Sequence, residues 1–559
     1  MKAKEMAQKH REISISEFFE KNRHLLGYDN KVKALLMIVK EGVDNALDAT
    51  EEARILPDIY VKVKEIKPEI YEIVIKDNGP GIVKSHIPKI FGKLLYGSKF
   101  HRLKQNRGQQ GIGISAATLY TQLTTGKPLE IKSSVGDGVT HIYKIKIDIR
   151  KNEPIILESR EERGDIWHGV ELRFITEGIY RDYKQSIHEY LKQTAIANPY
   201  ANITFDSPKG VIKFTRTVDK LPKEAKEIKP HILGVELGIM SRMLMNTKAK
   251  TLIGFLTTEF TKLGRKTAKE ICKTAEVNEN AKPKKLTDEE IKRIMEAAKS
   301  VKLQKPPTNC LSPLGSDVIT EGLKKELNPE LVEAITRPPE VYRGWPFQVE
   351  VGIAYGGSIT QGKLMRFANR VPLLYQQGDC AITKAITGID WRRYGLGGDV
   401  FENPVVIFVH VVSVWVPFTS ESKEAIASYP VIIKEIKLAT QEVARKLKTY
   451  LSGKRRQAYH QQRMKTFEKY ANLTVQALSE LSGERREKVK NMLIELINTK
   501  RNVKEVDENE VKRSGEAEEA GSECAGADKE KRESEDRDSH QVTLQHIFRR
   551  EEKTHQIRN

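Results

Sequence analysis

Three short segments carry residues whose spacing would let them do chemistry together. In KVKALLMIVKEGVDNALDATEEA, residues 31–53, a helix turning about 100° per residue puts Glu41, Asn45 and Asp48 on one narrow face, while Leu36, Val39, Val43 and Leu47 point away. That polar face is a site candidate, although the solvated face of an ordinary amphipathic helix would look similar. The next two segments decide between these readings. YEIVIKDNGPGI is a strand pattern running into Asp77, and Gly79 and Gly81 follow in a turn where missing side chains let a ligand approach the backbone. Asp77 would then face a bound base. In RGQQGIGISAATLYTQLT, Gly108, Gly111 and Gly113 stand just before a helix whose free N–H groups and dipole suit phosphates. A lone Gly-rich loop is common. A helix with Glu and Asn, then DxGxG, then GxxGxG, is specific, because chance must supply all three spacings in order.

The elements that must position these segments follow from patterning. Residues 1–228 alternate helical runs with short strand patterns (IYVKVKEI, YEIVIKD, PLEIKSS, HIYKIKID, VELRFI), which predicts an α/β domain with mixed or antiparallel strands. From 229 to 306 the strand signal gives way to short helical runs between Lys-rich turns, a small basic helical module. After KPPTNCLSPLG, residues 307–454 return to α/β character with FQVEVGIAYGG, the apolar run VVIFVHVVSVWVPF and the helical PVIIKEIKLATQEVARKLKTYL. Residues 455–500 read as polar helices, and 501–559 as a disordered tail rich in Glu, Ser and Lys. The fold class is multidomain α/β. One decoy lies in the third domain: GSITQGKL, Gly357–Leu364, nearly fits a P-loop, but Leu364 stands where a hydroxyl must ligate magnesium. A turn between strands is the preferred reading.

Composition narrows the partners. The 559 residues carry a formal net charge of +19, which fits a polyanion such as nucleic acid, since clustered Lys and Arg release counterions from phosphate backbones. A Lys- and Glu-rich solvated surface would give the same total. The tail holds 12 Lys and Arg against 16 Asp and Glu, a net of −4, so the rest of the chain carries about +23. Cys272, Cys310, Cys380 and Cys524 lack zinc-site or disulfide spacing, which fits a reducing cytoplasm. No stretch approaches the length of apolar sequence a membrane span needs, so the chain reads as soluble, cytoplasmic and without a membrane partner.

EGVDNALDA, DNGPGI and GQQGIGIS resemble the GHKL ATPase superfamily, whose nucleotide domain is the Bergerat α/β sandwich. The resemblance implies ATP and Mg2+ as cofactors, Glu41 as the general base that polarises the attacking water, Asn45 as the magnesium ligand, and Asp77 as reader of the adenine amino group. It adds Asp48, Gly79, Gly81, Gly108, Gln109, Gln110, Gly111, Ile112, Gly113, Ile114 and Ser115 to the ATP-binding set. Ser98 and Lys99, in the lid KIFGKLLYGSKFHRLKQNRG, would lie near the phosphates. The family's last nucleotide motif usually carries Gly-Thr, whereas this chain has Val170 after Gly169 in WHGVEL.

VSVWVPFTS to SKEAIA, ISEFFEKNRHLLGYDN, LYTQLTTGKP and RFANRVPLLYQQGDCAI resemble the B subunits of type IIB DNA topoisomerases, the topoisomerase VI group, over roughly residues 12–450. By that resemblance 229–306 is a helix-two-turn-helix domain, which binds DNA or acts as a spacer, and 307–454 is a transducer sending Lys423 to the γ-phosphate. The resemblance further implies an ATP-dependent homodimer within an A2B2 heterotetramer. It would capture double-stranded DNA, and a separate DNA-cleaving A subunit of topoisomerase VI would supply strand breakage. A mismatch-repair clamp is the alternative, disfavoured by the helical insertion and VPFTSESK. A sensor kinase would need a phosphoacceptor helix before residue 30, where His10 stands too near the start. In the tail, Gln541, Leu544, Ile547 and Phe548 resemble a sliding-clamp-binding peptide, although an amphipathic end docking on the chain itself or on its partner subunit is the preferred reading. Clamp binding through this peptide should be abolished by Phe548→Ala, and unchanged binding in titration calorimetry would dismiss it.

Overall fold

The computed structural model describes residues 13–99, 102–108, 111–164, 166–420 and 422–496. The tail and its clamp-like peptide therefore lie outside the described residues, as do Gln109 and Gln110 of the Gly loop. The chain divides into two compact units, the first ending at Ser452 and the second starting at Gly453.

The first half of the first unit is built on one eight-stranded sheet. Its strands are β1 (Asp58–Lys67), β2 (Ile70–Lys76), β3 (Leu129–Val135), β4 (Val139–Asp148), β5 (Glu153–Arg163), β6 (His168–Glu177), β7 (Asn202–Ser207) and β8 (Gly210–Phe214). They lie in the order β5-β4-β3-β6-β2-β1-β7-β8, antiparallel throughout except where β1 meets β7. Alternation sets one apolar face: Ile59, Val61 and Val63 of β1, Ile73 and Ile75 of β2, and Phe174 of β6 are all buried, with Val61 opposite Ile75. Helices cover that face. They are α1 (Ile15–Lys21), α2 (Lys31–Glu52), α3 (Ile87–Gly92), α4 (Gly113–Thr125) and α5 (Ile187–Ala197). α2 starts where the Asn30 side chain accepts from the Lys33 amide, and it buries Leu35, Ile38 and Leu47 against the sheet.

Four helices follow: α6 (Leu237–Asn246), α7 (Leu252–Glu259), α8 (Arg265–Thr274) and α9 (Asp288–Ser300). They enclose a core of their own that includes Phe255, Ile271 and Ile294. α9 opens with a reciprocal cap between Thr287 and Glu290.

The remainder of the first unit is a second sheet under helices. α10 (Ser316–Leu327) leads into β9 (Leu331–Thr336), β10 (Glu340–Tyr342), β11 (Trp345–Tyr355), β12 (Lys363–Ala368) and β13 (Val371–Pro372). α11 (Ala381–Thr387), β14 (Val405–Ser413) and α12 (Pro430–Ser482) follow, the last running past Ser452 into the second unit. β14 is buried along its whole length, because β11 pairs with it antiparallel on one side and β12 parallel on the other. The near-P-loop at Gly357–Leu364 spans the connection between β11 and β12, with its last residues already in β12. The two halves meet through an apolar seam in which Ile196 and Tyr200 pack with Leu314, Phe367 and Phe408. The boundary expected after residue 454 lies within two residues of the division between the two units, inside α12, which continues through Gly453.

Candidate active site

α2 and the ends of β2 and β6 border a cavity of about 580 Å³ in the first unit. Glu41, Asn45, Asp77, Gly81, Ser98, Lys99, Gly108, Gly111, Ile112, Gly113, Ile114 and Lys423 all line it. Local packing explains why two of these positions are glycine. A Cβ on Gly113 would lie 1.7 Å from Glu41 Oε2, so the carboxylate nests where no side chain can stand. Gly81 has a φ of +73°, and a Cβ there would meet the Ser134 carbonyl oxygen at 2.0 Å.

Asp77 closes the end of β2. Its Oδ1 accepts from the Gly79 amide at 2.8 Å and the Val170 amide at 3.2 Å, while its own amide donates to the Val170 carbonyl at 3.0 Å. Burial raises its pKa to about 6 against the pull of those two amides. Val170 thus holds Asp77 through its main chain, which any residue supplies, and its side chain contributes no hydroxyl to the cavity.

The other end of the cavity is cationic. Asp48 does not line it; this carboxylate turns to the lid, where it meets Lys99 Nζ at 2.6 Å, Arg107 Nη1 at 3.1 Å and the Gly108 amide at 3.3 Å. Burial alone would raise its pKa, yet Lys99 and Arg107 hold it well below the usual carboxylate range. Gly79 also stays off the wall, acting through its amide on Asp77, and Ser115 is buried with its hydroxyl on the Ile112 carbonyl at 2.9 Å. Lys423 arrives from the far half of the unit on a turn after β14, with a left-handed φ of +54°. Its Nζ donates to the Arg107 carbonyl at 2.9 Å. Burial pushes its pKa down, while Glu41 pulls in the opposite direction.

Several residues that matter here give no local signal. Arg107 Nη2 meets Glu51 Oε1 at 2.5 Å, and the other Glu51 oxygen takes Arg370 Nη1 at 2.7 Å. Gln105 exchanges two hydrogen bonds with the Ser312 main chain, and Asn369 Nδ2 donates to the Asn106 carbonyl at 3.1 Å. The base of the lid is therefore pinned to the far half at three consecutive residues. Arg107 adjoins the Gly loop and could have been singled out on that ground; Arg370, 319 positions from Glu51, could not.

Comparison with known proteins matches residues 30–150 to the histidine kinase-, DNA gyrase B- and HSP90-like ATPase family, and residues 306–463 to the transducer of the topoisomerase VI B subunit. The B subunit of type 2 DNA topoisomerase 6 from Methanococcoides burtonii is 50% identical over 459 residues, covering 80% of this chain and 74% of its own. This chain belongs to the topoisomerase VI B subunit family. Its counterpart from Archaeoglobus fulgidus is 49% identical over 460 residues, covering 81% of this chain and 76% of its own. That from Pyrococcus horikoshii is 40% identical over 560 residues, covering 91% and 99%. The family boundaries divide the cavity: Glu41, Asn45, Asp77 and the Gly loop come from the ATPase part, and Lys423, with Arg370 behind it, from the transducer. Among the described residues no helix is long and apolar enough to cross a membrane.

Proposed function

We propose that this chain is the ATP-hydrolysing B subunit of a type IIB DNA topoisomerase, a gate that ATP closes by dimerisation and hydrolysis reopens. The observation that carries the reading is that Lys423 of the transducer and Glu41, Asn45 and Asp77 of the ATPase part line one cavity. Asp77, a buried acceptor, takes the adenine amino group. The N–H groups at the start of α4 and the loop before it receive the phosphates. Glu41 takes a proton from water as the water oxygen bonds to the γ-phosphorus and the bond to the β-phosphate oxygen breaks, leaving ADP and phosphate. Lys423, the ammonium nearest this event from the transducer side, offsets charge on the transferring phosphoryl group.

Magnesium fits the donor set. Asn45 offers one amide oxygen on the cavity wall, and among the described residues no three His, Cys, Asp or Glu gather as an all-protein cage, as suits an ion held largely by nucleotide phosphates and water. When bound there it would neutralise phosphate charge. Asn45 would hold it and orient the phosphates against Glu41.

The finer assignments are a homodimer within an A2B2 assembly, a DNA-cleaving A subunit as partner, double-stranded DNA as substrate, and the module of α6 to α9 as a helix-two-turn-helix domain. Glu41→Ala tests the chemistry: steady-state turnover is expected to fall about 100-fold or more while nucleotide binding persists. Unchanged turnover would mean a scaffold that binds ATP. Decatenation of linked circles that requires both chains and ATP tests the assembly. ATP turnover with no strand passage alongside the A subunit would favour the mismatch-repair clamp.

A further inference from the structure

Lys40 precedes Glu41 on α2 and is buried, although lysine is seldom taken out of water without a partner. Its Nζ lies 3.0 Å from Asp44 Oδ2 and 3.6 Å from Glu41 Oε1. Asp44, one turn along, accepts at Oδ1 from the Tyr190 hydroxyl of α5 at 2.9 Å, and Tyr190 is fully buried. The four side chains thus form a chain from α5 to the cavity wall.

Its far end is specific. Glu41 Oε1 faces the ammonium, while Oε2 occupies the space beside Gly113 that a Cβ would fill. A glutamate with three free torsions thus faces the ammonium at Oε1 and fits beside Gly113 at Oε2. Burying Lys40 and Asp44 as a pair costs more in desolvation than an apolar pair of the same shape would, so their attraction alone is a weak reason for the arrangement. Lys40 also borders a cleft of about 20 Å³ shared with Ser422, Lys423 and Glu424, which places the grip beside the turn that brings the transducer lysine.

We propose that Lys40 is a positioning residue for ATP hydrolysis: its ammonium, fixed by Asp44 and Tyr190, holds the Glu41 carboxylate in the orientation that receives the proton of the attacking water. This rests on the reading of Glu41 as general base. Lys40 touches neither nucleotide nor water in this scheme, so its removal should act on kcat and spare nucleotide recognition by Asp77.

The test is steady-state ATP turnover of the full chain for Lys40→Met, Lys40→Arg, Glu41→Gln and the double variant Lys40→Met/Glu41→Gln. Lys40→Met is expected to lower kcat about ten- to a hundredfold, as a displaced catalytic group does, with KM for ATP within about twofold of the native value. Lys40→Arg should recover much of the loss. In the Glu41→Gln background, whose residual turnover is followed with labelled ATP, Lys40→Met should cost nothing further. An equal loss in both backgrounds, or a KM that rises with kcat unchanged, overturns the proposal. Because Lys40→Met strands Asp44, the charge-free Lys40→Met/Asp44→Asn variant guards against misfolding; native kcat in that variant also overturns it. If Glu41→Gln itself turns over normally, the general-base reading fails first, and the proposal falls with it.

Discussion

Gly113→Ala separates the fold from the chemistry more cleanly than any direct change to Glu41. The new methyl would stand 1.7 Å from Glu41 Oε2, against a floor of 3.0 Å for real contacts, so the carboxylate must retreat by about 1.3 Å. Gly113 is not in a left-handed conformation and begins α4, so alanine suits its backbone. The atom it strikes is the end of a flexible side chain. The protein should therefore fold, with a melting temperature near native, while Glu41, the proposed general base, is misplaced by more than an ångström. A displacement of that size costs on the order of 100-fold in rate. The assay is ATP turnover alongside equilibrium nucleotide binding measured by titration calorimetry. Expected are a kcat down about 100-fold and a dissociation constant changed by less than about fivefold, because Asp77 and the loop amides remain in place. Turnover within threefold of native would mean that Glu41 tolerates a new position, refuting both the packing argument and its place in the mechanism.

Other consequences are open to measurement. Asp77 has its pKa raised to about 6 by burial, and on the proposed reading its carboxylate accepts from the adenine amino group more strongly than the protonated acid does. ATP affinity should therefore weaken as pH falls through 6, and Asp77→Asn should abolish that pH dependence; titration of labelled nucleotide between pH 5 and pH 8 reads both. Val170→Thr places a hydroxyl on the cavity wall at nearly unchanged volume and should tighten ATP binding about two- to tenfold, the worth of one hydrogen bond, which calorimetry would detect. In the transducer, Glu350 accepts from the Leu314 and Gly315 amides, the Thr336 hydroxyl and His410 Nδ1, at 2.7 to 2.9 Å. Glu350→Gln turns an amide group towards two of these donors and should destabilise by about 3–5 kcal/mol in a denaturant melt. Burial also pushes the His410 pKa down. The folded chain therefore binds fewer protons there than the unfolded one, and this contribution to stability is lost as pH falls below about 6.5.

The nucleotide end of the site is legible in the sequence because its signals are local. Glu41 and Asn45 share a helix face, Asp77 ends a strand, and the glycines of GxxGxG lie within six residues; each pattern constrains geometry over one or two turns of chain. Asp48 shows where that reasoning stops. Helical spacing puts it on the same face as Glu41, but the lid residues that claim it, Lys99 and Arg107, stand 51 and 59 positions away. Lys423 is reachable through family resemblance and not through patterning, since nothing near it distinguishes one lysine among 95 Lys and Arg. Lys40, adjacent to Glu41, gives no signal because a charged residue in a helix ordinarily faces solvent. The unbroken course of α12 through Gly453 is hidden for a related reason: glycine lowers helix propensity by about 1 kcal/mol, which neighbouring good helix formers readily offset.

Arg107 holds two partners by two different parts of itself. Its guanidinium belongs to the Glu51 and Arg370 cluster, whereas its carbonyl receives Lys423. An alanine scan would remove the first and leave the second untouched, since every amino acid carries the same carbonyl. Whatever such a scan reports at position 107 describes the charge cluster, and the hold on the transducer lysine escapes it. An amide-to-ester replacement between residues 107 and 108 weakens that acceptor and leaves the Arg107 side chain intact, while also removing the Gly108 N–H that reaches Asp48 at 3.3 Å. Part of the link between the base of the lid and the transducer lysine is thus written in main chain, where mutational scanning and residue covariation are blind.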